Sequence, residues 1–240
     1  MACADVAGPP LAAAAGQRGV WLLYGGTFDP VHNGHLAIAR CAAAELQVPV
    51  HLMPAADPPH RAPPGANAAQ RAHMLELAVA GEPALQVDTR ELQRAARLPG
   101  VPSWTVDTLR EIRAQIGPQR PLAMLMGADS LLGLPSWHEW EHLLDLAHIV
   151  VAERPGSGLD GALPAALAQR LNGAWAGSAQ ALADAPAGRV WRLRQPLHSE
   201  SATALRALIA NGGQQWRDLL PSAVAEYILA QGLYGSAATV

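Results

Sequence analysis

The chain has 240 residues, 50% of them hydrophobic, and a net charge of −3. That is enough to close a core in one large domain or two small ones, and it lacks the basic excess that a polynucleotide or an anionic membrane would need. All 17 basic residues are arginine, which excludes lysine-dependent chemistry, both the Walker phosphate loop and Schiff-base catalysis, by residue type alone. Cys3 and Cys41 are the only cysteines and lie far apart, so neither a disulfide framework nor a Cys-based zinc site is supported, and a reducing, cytoplasmic setting is expected.

Residues 1–18 are rich in alanine and lack the basic start of a signal peptide, so they are expected to form a disordered extension. No run reaches about 18 apolar residues, so no membrane-spanning helix is expected. The ordered chain opens on Val20-Trp21-Leu22-Leu23-Tyr24, an apolar run suited to a buried strand, followed by Gly25-Gly26-Thr27-Phe28-Asp29-Pro30-Val31-His32-Asn33-Gly34-His35 and a helical pattern from Leu36 to Leu46. Glycines after a strand let backbone approach a ligand, and the following helix N-terminus favours bound phosphate. His32 and His35, three apart at that terminus, can face one ligand together.

Val50 to Met53 reads as a second strand, and strand, helix, strand favours a parallel sheet with its ligands at the C-terminal edge. Pro54 to Pro64 is too rich in proline to be helical and is expected as a stiff loop carrying His60 and Arg61. Ala69 to Ala80 has Met74, Leu77 and Ala78 at helical spacing, with Arg71, His73 and Glu76 elsewhere around the wheel. Ala84 to Asp88 alternates as a strand, Glu91 to Pro102 reads as a polar, arginine-bearing loop, and Ser103 is placed to cap a helix ending at Ile116. Leu122 to Met126 is a buried parallel strand leading into a second ligand-edge loop, Gly127-Ala128-Asp129-Ser130.

Ser136 to Trp140 and a short helix to Leu146 follow, then a strand from His148 to Ala152. Ser157 to Gly188 is the least informative span, with a weak helical stretch from Leu163 to Leu171. Val190 to Leu193 is the last strand. Ser201 or Thr203 then caps a helix through Ile209 with Arg206 one turn in, and a final helix runs from Ser222 to Gln231. Two histidines at one helix N-terminus, hydroxyls and an arginine at another, and no lysine together describe a site that holds a polyphosphate without a P-loop. Zinc on His32 and His35 would need further ligands from His51 or His60, without the compact spacing such sites use. A Ser-His-Asp hydrolase would need a G-x-S-x-G elbow that is absent.

The motif at Gly25 to His35, with its H-x-G-H core, resembles the signature of the adenylyltransferase and cytidylyltransferase superfamily, and Ser201-Ala202-Thr203-Ala204-Leu205-Arg206 resembles its S-x-T-x-x-R motif. Pro58-Pro59-His60-Arg61, Gln70-Arg71, Arg90-Glu91-Leu92, Ser103-Trp104-Thr105, Gly127-Ala128-Asp129-Ser130, Trp137 and Arg154-Pro155-Gly156 are similar to bacterial nicotinate-nucleotide adenylyltransferases. The resemblance implies a Rossmann-like, doubly wound α/β fold with a mainly parallel sheet and flanking helices, and one nucleotidyltransferase domain over residues 19–235 with a tail at 236–240. It implies transfer of AMP from ATP, with Mg2+, to nicotinate mononucleotide, giving deamido-NAD and pyrophosphate for NAD biosynthesis by direct displacement.

By the same resemblance, His32, His35 and Arg206 are the catalytic residues. ATP would meet Gly25, Gly26, Thr27, Phe28, Gly127, Asp129, Ser201 and Thr203 besides these three, and nicotinate mononucleotide would meet His60, Arg61, Thr105, Trp137 and Arg154. No protein metal site, nucleic acid or membrane partner is implied, and self-association is left open. The chain departs from the pattern in Ala55-Ala56-Asp57 before the Pro-Pro-His segment, in Trp104 for the commoner tyrosine, and in Glu200, read as pointing to solvent. The competing readings are an adenylyltransferase preferring nicotinamide mononucleotide and a nucleotide-binding sensor without turnover.

Overall fold

The computed structural model describes residues 19–56, 65–153, 159, 161, 163–195 and 200–236. The expected N-terminal extension, most of the proline-rich loop with His60 and Arg61, Arg154, and residues 237–240 lie outside the described residues.

Six parallel strands form one sheet: β1 (Trp21–Gly26), β2 (Val50–Pro54), β3 (Leu85–Val87), β4 (Leu122–Gly127), β5 (His148–Ala152) and β6 (Val190–Arg192), in the order β3-β2-β1-β4-β5-β6. The order reverses between β1 and β4, so the chain leaves both strands at the C-terminal edge on either side of one crevice. Along β1, Leu22 and Tyr24 pack into one hydrophobic cluster and Trp21 and Leu23 into the other, which is why this strand reads as a continuous apolar run. The first cluster is completed by α1 (Asn33–Leu46), α2 (Ala68–Val79), α8 (Ala202–Ala210) and α9 (Ser222–Ala230). On the opposite face lie α4 (Thr105–Ile116), α5 (Ala128–Leu132), α6 (Leu143–Leu146) and α7 (Ala165–Arg170). Met74 is fully buried, as its position on the apolar stripe of α2 predicts.

Three local expectations are corrected. The segment from Glu91, read as a loop, forms α3 (Arg90–Arg97). Its sequence offers little apolar periodicity because polar contacts hold it: Arg90 pairs with Asp88 and reaches Gln115, and Arg94 donates to Glu111, Ser103 and Thr108. Ser103 does not cap α4. Trp104 takes the cap position without a side-chain cap bond, and the Ser103 hydroxyl accepts from Arg94 at 2.6 Å. Gly127 to Ser130 is not a loop, since β4 runs to Gly127 and α5 begins at Ala128.

Two histidines are structural. His51 stacks flat on Trp21 with ring centroids 4.0 Å apart, and His148, fully buried, ties β5 to the segment before β6 through the Ala185 carbonyl and the Arg189 N–H. Burial pushes the His51 imidazole down to about 4, with Asp88 opposing and Arg90 and Arg120 assisting; burial likewise lowers His148. The unfolded chain therefore binds more protons than the folded one below pH 6.5, and stability rises with pH across that window. Thermal unfolding is expected to be insensitive to these groups above that pH. It should weaken towards pH 4, His51 alone accounting for on the order of 3 kcal/mol. A Tm that does not fall across this window would contradict the assignment.

Candidate active site

The site is built on the first strand-to-helix connection. His32 is the N-cap of α1: its Nδ1 accepts the His35 N–H at 3.3 Å, while the His35 Nδ1 accepts the His32 N–H at 3.3 Å. This is a capping box made from two histidines in place of the usual hydroxyl and carboxylate. Because each ring uses Nδ1 as an acceptor, the network assigns its proton to Nε2, and both rings carry a donor for an anion. The ring centroids lie 3.7 Å apart, and Phe28, in a left-handed turn with φ 51°, sets its ring edge-on to His35 at 5.0 Å. The motif is thus rigid before any ligand arrives. Gly34 fits closely between the His32 ring and the Glu200 carboxylate, since a Cβ there would lie 3.1 Å from the His32 Nδ1 and 3.2 Å from the Glu200 Oε2. The same contact corrects the reading of Glu200, whose carboxylate lies over the first turn of α1 beside His32.

The second helix N-terminus faces the first. Ser201 caps α8, its hydroxyl accepting the Ala204 N–H at 3.1 Å, while Thr203 stands in the first turn and Arg206 reaches back. Arg206 donates through Nη1 to the Asp29 carbonyl at 2.6 Å and through Nη2 to the Thr203 hydroxyl at 3.3 Å. Asp29 itself is 4% exposed, and its carboxylate accepts from Gly65 N, Ala66 N and the Tyr234 hydroxyl at 2.8, 3.0 and 2.7 Å. From α2, Arg71 spans the loops beneath: its Nη1 donates to the Thr27 carbonyl at 2.8 Å and to the Ala55 carbonyl at 2.7 Å. The wheel position that suggested an off-core arginine is fully buried.

One pocket contains Gly25, Gly26, Thr27, Phe28, His32, His35, Gly127, Asp129, Ser201, Thr203 and Arg206, so every residue expected around ATP lines the same cavity. A second pocket on the other side of the strand ends is lined by Thr105 and Trp137, both expected at the acceptor, together with Trp104, His138, Glu91 and Ser130. Trp104 and His138 stack at 4.7 Å. Glu91 accepts the Thr108 hydroxyl at 2.6 Å and the Ala56 N–H, and burial pushes its carboxyl above the usual range against these contacts and Arg94. The sequence reading missed the roles of Asp29, Arg71, Glu91 and Tyr234, which come from tertiary contacts; Asp29, Arg71 and Glu91 lay within segments that carry the resemblance, but with no role assigned. His60, Arg61 and Arg154 lie outside the described residues. Among those described, no group of three or more His, Cys, Asp or Glu side chains converges as a metal cage would require, and His51 is committed to its stack on Trp21.

The crevice at the switch point of the sheet thus has two helix N-termini on one side and an aromatic pocket on the other. The family model described as cytidylyltransferase-like matches residues 23–208. The "Probable nicotinate-nucleotide adenylyltransferase" of Stenotrophomonas maltophilia (strain K279a) is 63% identical over 215 residues, covering 90% of this chain and 96% of that protein. The protein of the same name from Xylella fastidiosa (strain M12) is 48% identical over 214 residues, covering 89% and 96%. The chain belongs to the nicotinate-nucleotide adenylyltransferase family within the cytidylyltransferase-like nucleotidyltransferases. A solved structure described as Plasmodium falciparum nicotinic acid mononucleotide adenylyltransferase complexed with NaAD has a similar fold, with a TM-score of 0.68 at 14% identity, covering 90% of this chain and 98% of that one.

Proposed function

We propose that this chain transfers the adenylyl group of ATP to nicotinate mononucleotide, releasing pyrophosphate and forming deamido-NAD for NAD biosynthesis. The observation that carries the reading is that Gly25, Gly26, Thr27, Gly127 and Ser130 line both pockets, so the polyphosphate cavity and the aromatic cavity open into each other at the strand ends. Two nucleotides bound one in each would meet phosphate to phosphate there.

The reaction forms a bond from a phosphate oxygen of the mononucleotide to the α-phosphorus of ATP and breaks the bond from that phosphorus to the oxygen bridging to the β-phosphorus. No covalent enzyme intermediate is needed. Catalysis then rests on alignment, for which good geometry alone contributes roughly 7–11 kcal/mol, and on donors aimed at the charge developing in the transition state. His32 and His35 supply Nε2–H donors at the dipole-positive end of α1. Ser201, Thr203 and Arg206 hold the β- and γ-phosphates. ATP enters as its magnesium complex, since magnesium is ordinarily held by phosphates and water with few protein ligands. Asp129, which lines the polyphosphate cavity beside the already engaged Asp29, would accept hydrogen bonds from water bound to such an ion.

On the acceptor side, Trp137 and the Trp104 and His138 stack offer flat apolar surface to a pyridine ring. The N-terminus of α4 opens at Thr105 without a side-chain cap, and an anion there gains about 0.3–2 kcal/mol that a neutral amide does not. This supports nicotinate over nicotinamide by up to about thirtyfold in kcat/KM. A coupled pyrophosphate assay with the two mononucleotides in parallel tests it. Equal or reversed preference would overturn the acceptor assignment, and tight ATP binding without pyrophosphate release would favour the sensor. No helix among the described residues is long and apolar enough to cross a membrane, in keeping with a cytoplasmic enzyme acting on free nucleotides.

A further inference from the structure

The C-terminal turn carries a residue that the mechanism above does not use. After α9 the chain reverses through Gly232, Tyr234 and Gly235, all with positive φ, at 58°, 57° and 78°. Tyr234 has a side chain in a conformation that glycine normally supplies, a strain of order 1 kcal/mol that persists only where the surroundings impose it. Two contacts impose it. The ring packs closely on Gly65, where a Cβ would come within 2.9 Å of Cδ1 and Cε1, and the hydroxyl donates to the Asp29 carboxylate at 2.7 Å. Burial, then the Asp29 carboxylate, push the Tyr234 hydroxyl to a higher pKa, so it remains a donor.

Asp29 is where this bond acts. Its carboxylate also receives the Gly65 and Ala66 N–H groups, and the Arg206 Nη1 stands 3.5 Å from its Oδ2 while donating to its carbonyl. The three neutral donors fix the carboxylate so that its Oδ2 faces the Arg206 Nη1 as an ion pair at 3.5 Å, while the Arg206 side chain, 34% exposed, also lines the phosphate cavity. We infer that Tyr234 is a positioning residue for ATP, setting the Arg206 guanidinium by holding the Asp29 carboxylate. Without the hydroxyl, Oδ1 keeps only the Ala66 N–H, the carboxylate is freer to turn, and the Arg206 guanidinium loses the fixed partner that aims it at the phosphates. The C-terminal turn thus joins the H-x-G-H loop to the S-x-T-x-x-R helix.

The inference rests on the adenylyltransferase reading, and the test separates the two. Tyr234→Phe keeps the ring on Gly65 and removes only the oxygen. The KM for ATP and the Kd of a non-hydrolysable ATP analogue are expected to rise about tenfold, the scale of one hydrogen bond to a charged group, with the KM for nicotinate mononucleotide unchanged. In an Arg206→Gln background, Tyr234→Phe is expected to add nothing to the analogue Kd, because the pathway is already cut. An unchanged ATP KM would overturn the inference. So would equal losses in both backgrounds, or a fall in Tm with both substrates weakened alike, since these describe a fold contact. If Tyr234→Phe does not fold, the intact chain bearing Asp29→Asn is measured against the analogue, and wild-type affinity there overturns the inference equally. A wild-type chain that binds the analogue but releases no pyrophosphate would sink the adenylyltransferase reading and leave the analogue comparison standing.

Discussion

Replacing His35 by alanine is expected to lower pyrophosphate release by about a hundredfold or more while leaving the fold intact. That is the scale on which removing one preorganised donor to a developing anion reduces turnover. The structure adds why the loss falls on catalysis. The His35 ring contributes to folding through the 3.3 Å bond from the His32 N–H and its contacts with the His32 and Phe28 rings, and losing that half of the capping box costs about 1 kcal/mol. Its larger contribution is to hold an Nε2–H donor beside that of His32, with the tautomer set by the cap. Turnover of a folded His35→Ala chain within a few-fold of wild type, measured with both substrates saturating, would remove His35 from the mechanism.

The largest stability effect is expected from Arg71→Met. The Nη1 of this buried arginine bridges the Thr27 carbonyl, in the loop after β1, to the Ala55 carbonyl after β2. Methionine fills much of the volume but donates nothing, so two carbonyls lose their donor in a place that water reaches poorly. The cost is about 3 kcal/mol, equivalent to a Tm lower by roughly 6–12 °C for a chain of this size. Because the bridge fixes the loop carrying Thr27 and Phe28, ATP affinity is expected to fall in the same variant even at temperatures where it is folded. A Tm within a degree or two of wild type would mean that the carbonyls find other donors.

These cases show where sequence reasoning holds and where it stops. The β1 motif was legible because its signals are local: an apolar run, paired glycines, and histidines spaced to share one face of a helical turn. The same holds for a cap at Ser201 or Thr203, which the structure places at Ser201, and for Met74 on an apolar stripe. The segment after Asp88 was illegible because its helix is stabilised by Arg90 and Arg94 reaching residues 9 to 25 positions away, contacts that leave no periodic trace. Arg71 misled for a related reason. A helical wheel ranks arginine as outward-facing, and only the carbonyls of Thr27 and Ala55, delivered by two other loops, make a buried guanidinium affordable.

The sequence by itself determined the parallel α/β architecture, the placing of two histidines at a glycine-preceded helix N-terminus and the absence of lysine-based alternatives, because these depend on residue type and short-range spacing. Only the tertiary structure decided that the two motifs line one cavity, that a second, aromatic pocket shares Gly25, Gly26 and Gly127 with it, and that Asp29 gathers Gly65, Ala66, Arg206 and Tyr234. Hydrogen bonds between residues up to 205 positions apart act through the geometry of the packed sheet edge, and no local pattern in the chain encodes them.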